Sequence, residues 1–185
     1  LGVSLYAFSY FRIPLQDNGK SAAFWSLWLF LWAGLNALFL SADLFNLYVT
    51  LELIGLSAVA LTALAGSRDA LISAIRYLLT SLLGSLCYLL GIALLYHTYA
   101  TVDLTLLSGR ITAQPSTQAA LALITAGLLL KSALFPLHFW LPPAHGSAAA
   151  PVSALLSALV VKASFYLLAR LWLELFHPIH NLMPD

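Results

Sequence analysis

The sequence is organised as a series of long apolar stretches separated by short polar breaks. A transmembrane helix needs about 20 mainly apolar residues, and five stretches reach that length after a shorter apolar stub. Their expected bounds are 21–41, 44–65, 71–99, 117–141 and 148–176, and the stub covers residues 1–11. The pattern predicts an all-α fold: a polytopic transmembrane helix bundle with five full helices and a partial first helix, forming one transmembrane domain over residues 1–185.

The composition excludes several classes of protein. Hydrophobic residues make up 62% of the chain and charged residues 8%, far from the composition of a soluble domain. The basic residues are scattered, so we predict no nucleic-acid interface. Cys87 is the only cysteine, and no metal-ligand pattern is present, so we predict no metal and no cofactor. The chain starts with Leu1 inside an apolar stretch and lacks a signal-peptide pattern, so we expect an internal piece of a longer membrane protein.

Three titratable residues stand near the middle of separate apolar stretches: Glu52, Lys131 and Lys162. A charge at the centre of a bilayer costs about 2.5–3.5 kcal/mol on insertion scales, so such residues usually serve a function. A rise of about 1.5 Å per residue places all three at a similar depth. One acid and two amines that can exchange protons therefore predict a proton path. A purely structural Glu52–lysine ion pair is the alternative reading, and snorkelling toward the interface is another for Lys162.

Pro136 predicts a break in the stretch that contains Lys131. Proline lacks an N–H group, so the carbonyl of Ser132 would lose its helical partner close to Lys131. Discontinuous helices of this kind form the ion sites of many transporters. His138 would share a face with Lys131 if the helix were continuous, which makes it a candidate proton-relay residue. Ser132, next to Lys131, is a second candidate. A packing histidine is the alternative for His138.

The other polar features concern packing and orientation. The small residues Ser81, Gly84, Ser85 and Gly91 on the fourth stretch should let neighbouring helices approach closely. The loop with Arg12 and Lys20 and the loop at Arg68 carry more basic residues than the opposite side, which predicts that both face the cytoplasm.

Three sequence runs resemble one family of membrane subunits. They are ADLFNLYVTLEL at residues 42–53, KSALFPLHFWLP at 131–142 and APVSALLS at 150–157. The runs are similar to the fifth, seventh and eighth helices of the proton-conducting antiporter-like subunits. Such subunits occur in respiratory complex I, in Mrp-type cation/proton antiporters (as their D subunit) and in membrane-bound hydrogenases. The order and spacing agree from the end of helix three to helix eight.

The resemblance implies a function and roles for residues. The chain would supply the first of two half-channels for protons, with Glu52 as the helix-five glutamate that pairs with the helix-seven Lys131. Lys162 would be the helix-eight lysine that links this half-channel to the second. The residues from Pro143 to Ser147 lack the aspartate common in the family after Trp-Leu-Pro. A lysine rather than a histidine at position 162 places the chain nearer the Mrp D-type subunits.

The expected function is therefore proton translocation in a NADH:quinone oxidoreductase-like or Mrp-type Na+/H+ antiporter complex, in a prokaryotic inner (plasma) membrane. Its partners would be other membrane subunits, the lipid bilayer, protons and, in the antiporter case, Na+. Any enzymatic activity would belong to the complex, which this subunit would couple to without a redox site of its own. The alternatives are a structural scaffold subunit, or a subunit of an inorganic-carbon uptake or membrane hydrogenase complex.

Overall fold

The computed structural model describes residues 2–11 and 19–176, which form a bundle of helices. The helices are α1 (Gly2–Phe11), α2 (Lys20–Leu40), α3 (Leu44–Ala63), α4 (Arg68–Tyr99), α5 (Leu104–Ser108), α6 (Pro115–Lys131), α7 (Leu141–Ser147), α8 (Ala150–Leu155) and α9 (Val161–Leu171). Two π-helical turns, Leu156–Val160 and Trp172–Phe176, follow α8 and α9. The predicted fold class is confirmed.

Within the described residues, four of the apolar stretches form helices long and apolar enough to cross a membrane: α2, α3, α4 and the continuous stretch Ala150–Phe176. Polar side chains at the helix N-termini fix where two of them begin, because the first amides of a helix lack partners within it. The Asp43 carboxylate accepts a hydrogen bond of 2.8 Å from the Asn46 amide, and the Ser67 hydroxyl accepts one of 3.1 Å from the Ala70 amide.

The predicted discontinuous helix is present, but its break begins earlier than Pro136. Helix α6 ends at Lys131, and helical structure resumes only at Leu141. Ala133 has a left-handed backbone (φ 50°), which a continuing α-helix does not allow. A proline also disfavours the helical conformation of the residue before it and clashes with the carbonyl four residues earlier. The chain therefore leaves the helix about one turn ahead of Pro136.

A short backbone bridge joins the start of α3 to the connection after α4. The Leu44 amide donates to the Val102 carbonyl and the Leu104 amide donates to the Ala42 carbonyl, both at 2.9 Å. Asp43 and Asp103 form the antiparallel bridge between these segments. The connection between α4 and α6 contains the short helix α5, which begins after Asp103.

Two basic side chains mark opposite ends of the bundle. Lys20 Nζ donates a 3.1 Å hydrogen bond to the Ala65 carbonyl, beside the turn that leads to Arg68. A guanidinium nitrogen of Arg170 donates a 2.7 Å hydrogen bond to the carbonyl of Ser41, between α2 and α3. Lys20 and the turn before Arg68 therefore lie at one end and Arg170 at the other. Arg12 lies outside the described residues.

Candidate functional site

The site is centred on an ion pair between α3 and the end of α6. Lys131 Nζ lies 3.1 Å from Oε1 of Glu52, although the two residues are 79 positions apart in the sequence. The exposed fraction of the side chain is 5% for Lys131 and 19% for Glu52. Helix α3 carries Glu52 near its middle, whereas Lys131 is the last residue of α6. The structure therefore brings together two of the three predicted charged residues.

Two serines of α4 form hydrogen bonds with this ion pair. Lys131 Nζ donates a 3.0 Å hydrogen bond to the Ser81 hydroxyl, and the Ser85 hydroxyl donates to Oε1 of Glu52. Both serines are buried and lie four residues apart, so they share one face of the helix. From the sequence they are predicted only as small packing residues. The missed signal is their i, i+4 spacing in a stretch that should neighbour the charged residues.

Glycines on two helices leave room for the lysine side chain. A Cβ atom on Gly55 would lie 3.1 Å from Ser81 Oγ and 3.9 Å from Lys131 Nζ. A Cβ atom on Gly84 would lie 3.2 Å from Lys131 Cγ. Close approach of α3 and α6 to α4 therefore depends on these glycines, as expected for packed membrane helices.

The segment after the helix break closes one side of the site. Trp140 is buried, and its ring stacks on Tyr77 with the ring centroids 4.3 Å apart. The Trp140 indole N–H donates a 3.0 Å hydrogen bond to the carbonyl of Leu130, one residue before Lys131. A small cavity beside Lys131 is lined by these two aromatic rings and by Ser164 of α9, among others. The break thus supplies a wall of the site.

The predicted relay residues lie apart from the ion pair. The Ser132 hydroxyl donates a 2.7 Å hydrogen bond to the carbonyl of Leu128, so it is engaged within its own helix end. The helical alignment of His138 with Lys131 is not formed, because the chain leaves the helix at Lys131. The His138 side chain is exposed and lies beside Phe135, with the ring centroids 5.7 Å apart.

Lys162 also lies apart from the ion pair. Its side chain is exposed on α9, and Nζ donates a 2.7 Å hydrogen bond to the carbonyl of Ser157 in the preceding π-helical turn. The sequence predicts a row of three charged residues, but only Glu52 and Lys131 are in contact within the described residues. Depth along a helix can be estimated from the sequence, whereas the direction in which a side chain points also depends on helix rotation and on the π-helical turns.

Residues 41–183 match the family described as NADH:quinone oxidoreductase/Mrp antiporter, TM. The chain belongs to this family of transmembrane proteins. The resemblance predicted from residues 42–53, 131–142 and 150–157 is thereby confirmed.

Two curated relatives illustrate the two branches of the family. The chain is 41% identical over 176 residues to NADH-quinone oxidoreductase subunit N of Desulforudis audaxviator, a match that covers 92% of this chain and 34% of the relative. It is 32% identical over 184 residues to the D subunit of the Na(+)/H(+) antiporter of Bacillus subtilis, covering 97% of this chain and 36% of that protein. The chain spans about a third of the length of these relatives.

Solved structures show the same fold. The chain matches a chain of the membrane-bound sulfane sulfur reductase, an archaeal respiratory membrane complex, with a TM-score of 0.85 and 32% identity over 94% of this chain and 36% of that one. It matches a chain of the Mrp complex from Dietzia with a TM-score of 0.75 and 30% identity, over 82% of this chain and 29% of that one. Both relatives are parts of membrane complexes with several subunits.

Proposed function

We propose that this chain forms a proton-transfer unit of a membrane subunit that translocates protons, and that Glu52 and Lys131 are its exchanging groups. The observation that carries the proposal is the 3.1 Å contact between these two side chains in the interior of an apolar bundle. Family membership supports it, because the relatives include a subunit of a NADH-quinone oxidoreductase and a subunit of a Na(+)/H(+) antiporter.

The physical basis is the mutual dependence of two buried charges. A nearby carboxylate favours the charged form of a lysine, whereas burial disfavours it. Any change that separates Glu52 from Lys131 would therefore favour release of a proton from Lys131. Bringing the two side chains together again would favour uptake of a proton. A partner that alters this separation can thus couple an energy source to proton movement.

We propose that Lys162 receives protons from this site in the full-length subunit. An exposed ammonium near the centre of a 27-residue span is costly against lipid. About two thirds of each curated relative lies outside the matched region, and we propose that part of it covers Lys162. We further propose a prokaryotic inner membrane as the location, with the end that contains Lys20 and Arg68 facing the cytoplasm.

The energy source divides the proposal into two cases. In a complex related to NADH:quinone oxidoreductase, redox chemistry in other subunits would drive proton movement. In an Mrp-type complex, exchange with Na+ would drive it or be driven by it. In both cases the partners are other membrane subunits, and the role of Glu52 and Lys131 is the same.

The test measures proton translocation by the full-length subunit assembled in its complex and reconstituted in proteoliposomes. We expect Lys131→Met and Glu52→Gln each to abolish translocation while the complex still assembles. Lys20→Met is the matched control, because Lys20 binds a backbone carbonyl at the end of the bundle. Wild-type translocation by both site variants would show that the ion pair is a structural scaffold.

A further inference from the structure

The Ser85 hydroxyl has two acceptors for its one proton. The Ser85 oxygen lies within hydrogen-bond distance of Oε1 of Glu52 and 3.0 Å from the carbonyl of Ser81, one helical turn earlier. Serine hydroxyls in helices often donate to the carbonyl four residues before them. A hydroxyl carries a single hydrogen, so Ser85 can donate to only one of these acceptors at a time.

We infer that Ser81 and Ser85 are positioning residues that keep the Glu52–Lys131 pair hydrogen-bonded in both its charged and its neutral states. The inference rests on the proposed function, since it concerns how that site changes protonation. It adds α4 to the elements that serve the site.

Ser85 accommodates both forms of Glu52. When Glu52 is a carboxylate, the Ser85 O–H donates to it. When Glu52 is protonated, its own O–H can donate to Ser85 Oγ, and the Ser85 hydrogen turns to the Ser81 carbonyl. No buried polar group loses its partner in either form, which avoids the large cost of an unpaired buried group.

Ser81 accommodates both forms of Lys131 in the same way. Its hydroxyl oxygen accepts a 3.0 Å hydrogen bond from the ammonium. After Lys131 has lost a proton, its neutral nitrogen carries a lone pair, to which the Ser81 O–H can donate. The site can therefore adapt to the loss of this proton by rotation of the Ser81 hydroxyl alone, without a movement of α4.

Few other groups can influence this site within the described residues. Apart from Lys131 itself, Tyr77 of α4 is the titratable side chain that lines the cavity beside Lys131, and it is buried. The residues that line the cavity beside Lys131 from the other elements include Trp140, Val160 and Ser164, none of which titrates. The serines are therefore the hydroxyl groups in direct contact with the two charges.

The test records the pH profile of proton translocation by the full-length subunit in its complex, for Ser85→Ala and Ser81→Ala. Ser85→Ala removes the donor to the Glu52 carboxylate and should move the acidic limb of the profile to higher pH. Ser81→Ala removes the acceptor for the Lys131 ammonium and should move the alkaline limb to lower pH. The bond to the charged form is roughly twice as strong as the bond to the neutral form, and only this difference moves the profile, so each shift should be about one pH unit.

Two further variants separate positioning from packing. Ser73→Ala removes a hydroxyl from another buried serine of α4 and should leave the pH profile unchanged. Ser85→Thr retains a hydroxyl and should restore the wild-type profile. Unshifted profiles in both alanine variants would overturn the inference, even if Lys131→Met abolishes translocation. Continued translocation by Lys131→Met would overturn the proposed function as well.

Discussion

Gly84 of α4 and Gly127 of α6 face each other so closely that a Cβ atom on Gly84 would lie 2.9 Å from the Gly127 carbonyl oxygen. The same Cβ atom would crowd the side chain of Lys131 at 3.2 Å. Because backbone atoms cannot move aside as a flexible side chain can, the interface between α4 and α6 requires glycine, which has no side chain, at these positions.

We therefore predict that Gly84→Ala destabilises the bundle by about 1–3 kcal/mol, the usual cost of overpacking. Thermal unfolding of the purified full-length subunit in detergent measures the effect. Gly146→Ala is the control, since a Cβ atom there meets nothing within 4 Å. Equal stability of the two variants would contradict the close approach of α4 and α6.

A second prediction concerns Trp140, which supports the carbonyl of Leu130 after the helix break. Another donor to this carbonyl is the Ala133 amide, at a long 3.3 Å. Trp140→Phe keeps a ring to stack on Tyr77 but loses the indole N–H, so we expect a loss of about 1 kcal/mol in stability. Trp32→Phe, at a side chain that is 55% exposed, should have little effect. Unfolding in denaturant compares the two variants, and equal losses would argue against this hydrogen bond.

A third prediction concerns how the stability of α5 depends on pH, because the Asp103 carboxylate caps the N-terminus of this helix. The Thr105 hydroxyl, followed by the Leu106 amide, holds the pKa of Asp103 below its ordinary value of 3.8. A carboxyl whose pKa is lower in the folded state contributes stability above its unfolded pKa, and that contribution is lost as the pH falls through the folded value. Protection of the amides of residues 104–108 from hydrogen exchange should therefore be retained at pH 5 and fall only below about pH 4.

Thr105→Val tests the cause of this shift. The substitution removes the hydroxyl while keeping a similar volume, so the pKa of Asp103 should rise and protection should be lost at a higher pH than in the wild type. An unchanged dependence on pH would show that the Thr105 hydroxyl does not stabilise the carboxylate.

The sequence predicted the fold because apolar stretches of transmembrane length are a direct consequence of the thickness of the bilayer. It also singled out Glu52 and Lys131, because a charge in an apolar stretch is costly and so stands out. The family resemblance then supplied the pairing of these two residues across 79 positions.

The parts that were missed depend on tertiary contacts. Ser81 and Ser85 look like ordinary small residues of a membrane helix until the charges of α3 and α6 are placed beside them. The hydrogen bond from Trp140 to the Leu130 carbonyl could not be predicted, because the position of Trp140 depends on the turns that follow the helix break. The exposure of Lys162 depends on the rotation of α9, which hydropathy does not determine.

The central claim is that Lys131 gives up and regains a proton, and Lys131→Arg tests it most directly. Arginine keeps a positive charge beside Glu52, but its guanidinium does not lose a proton in proteins. If the ion pair is only structural, proton translocation should survive this substitution. If Lys131 must release a proton, translocation should be lost.

The measurement is proton translocation in proteoliposomes that contain the assembled complex with Lys131→Arg in the full-length subunit. We predict that the complex assembles and that translocation falls to background. Translocation at the wild-type rate would contradict the claim, because the site would then work without a side chain that can release a proton at position 131.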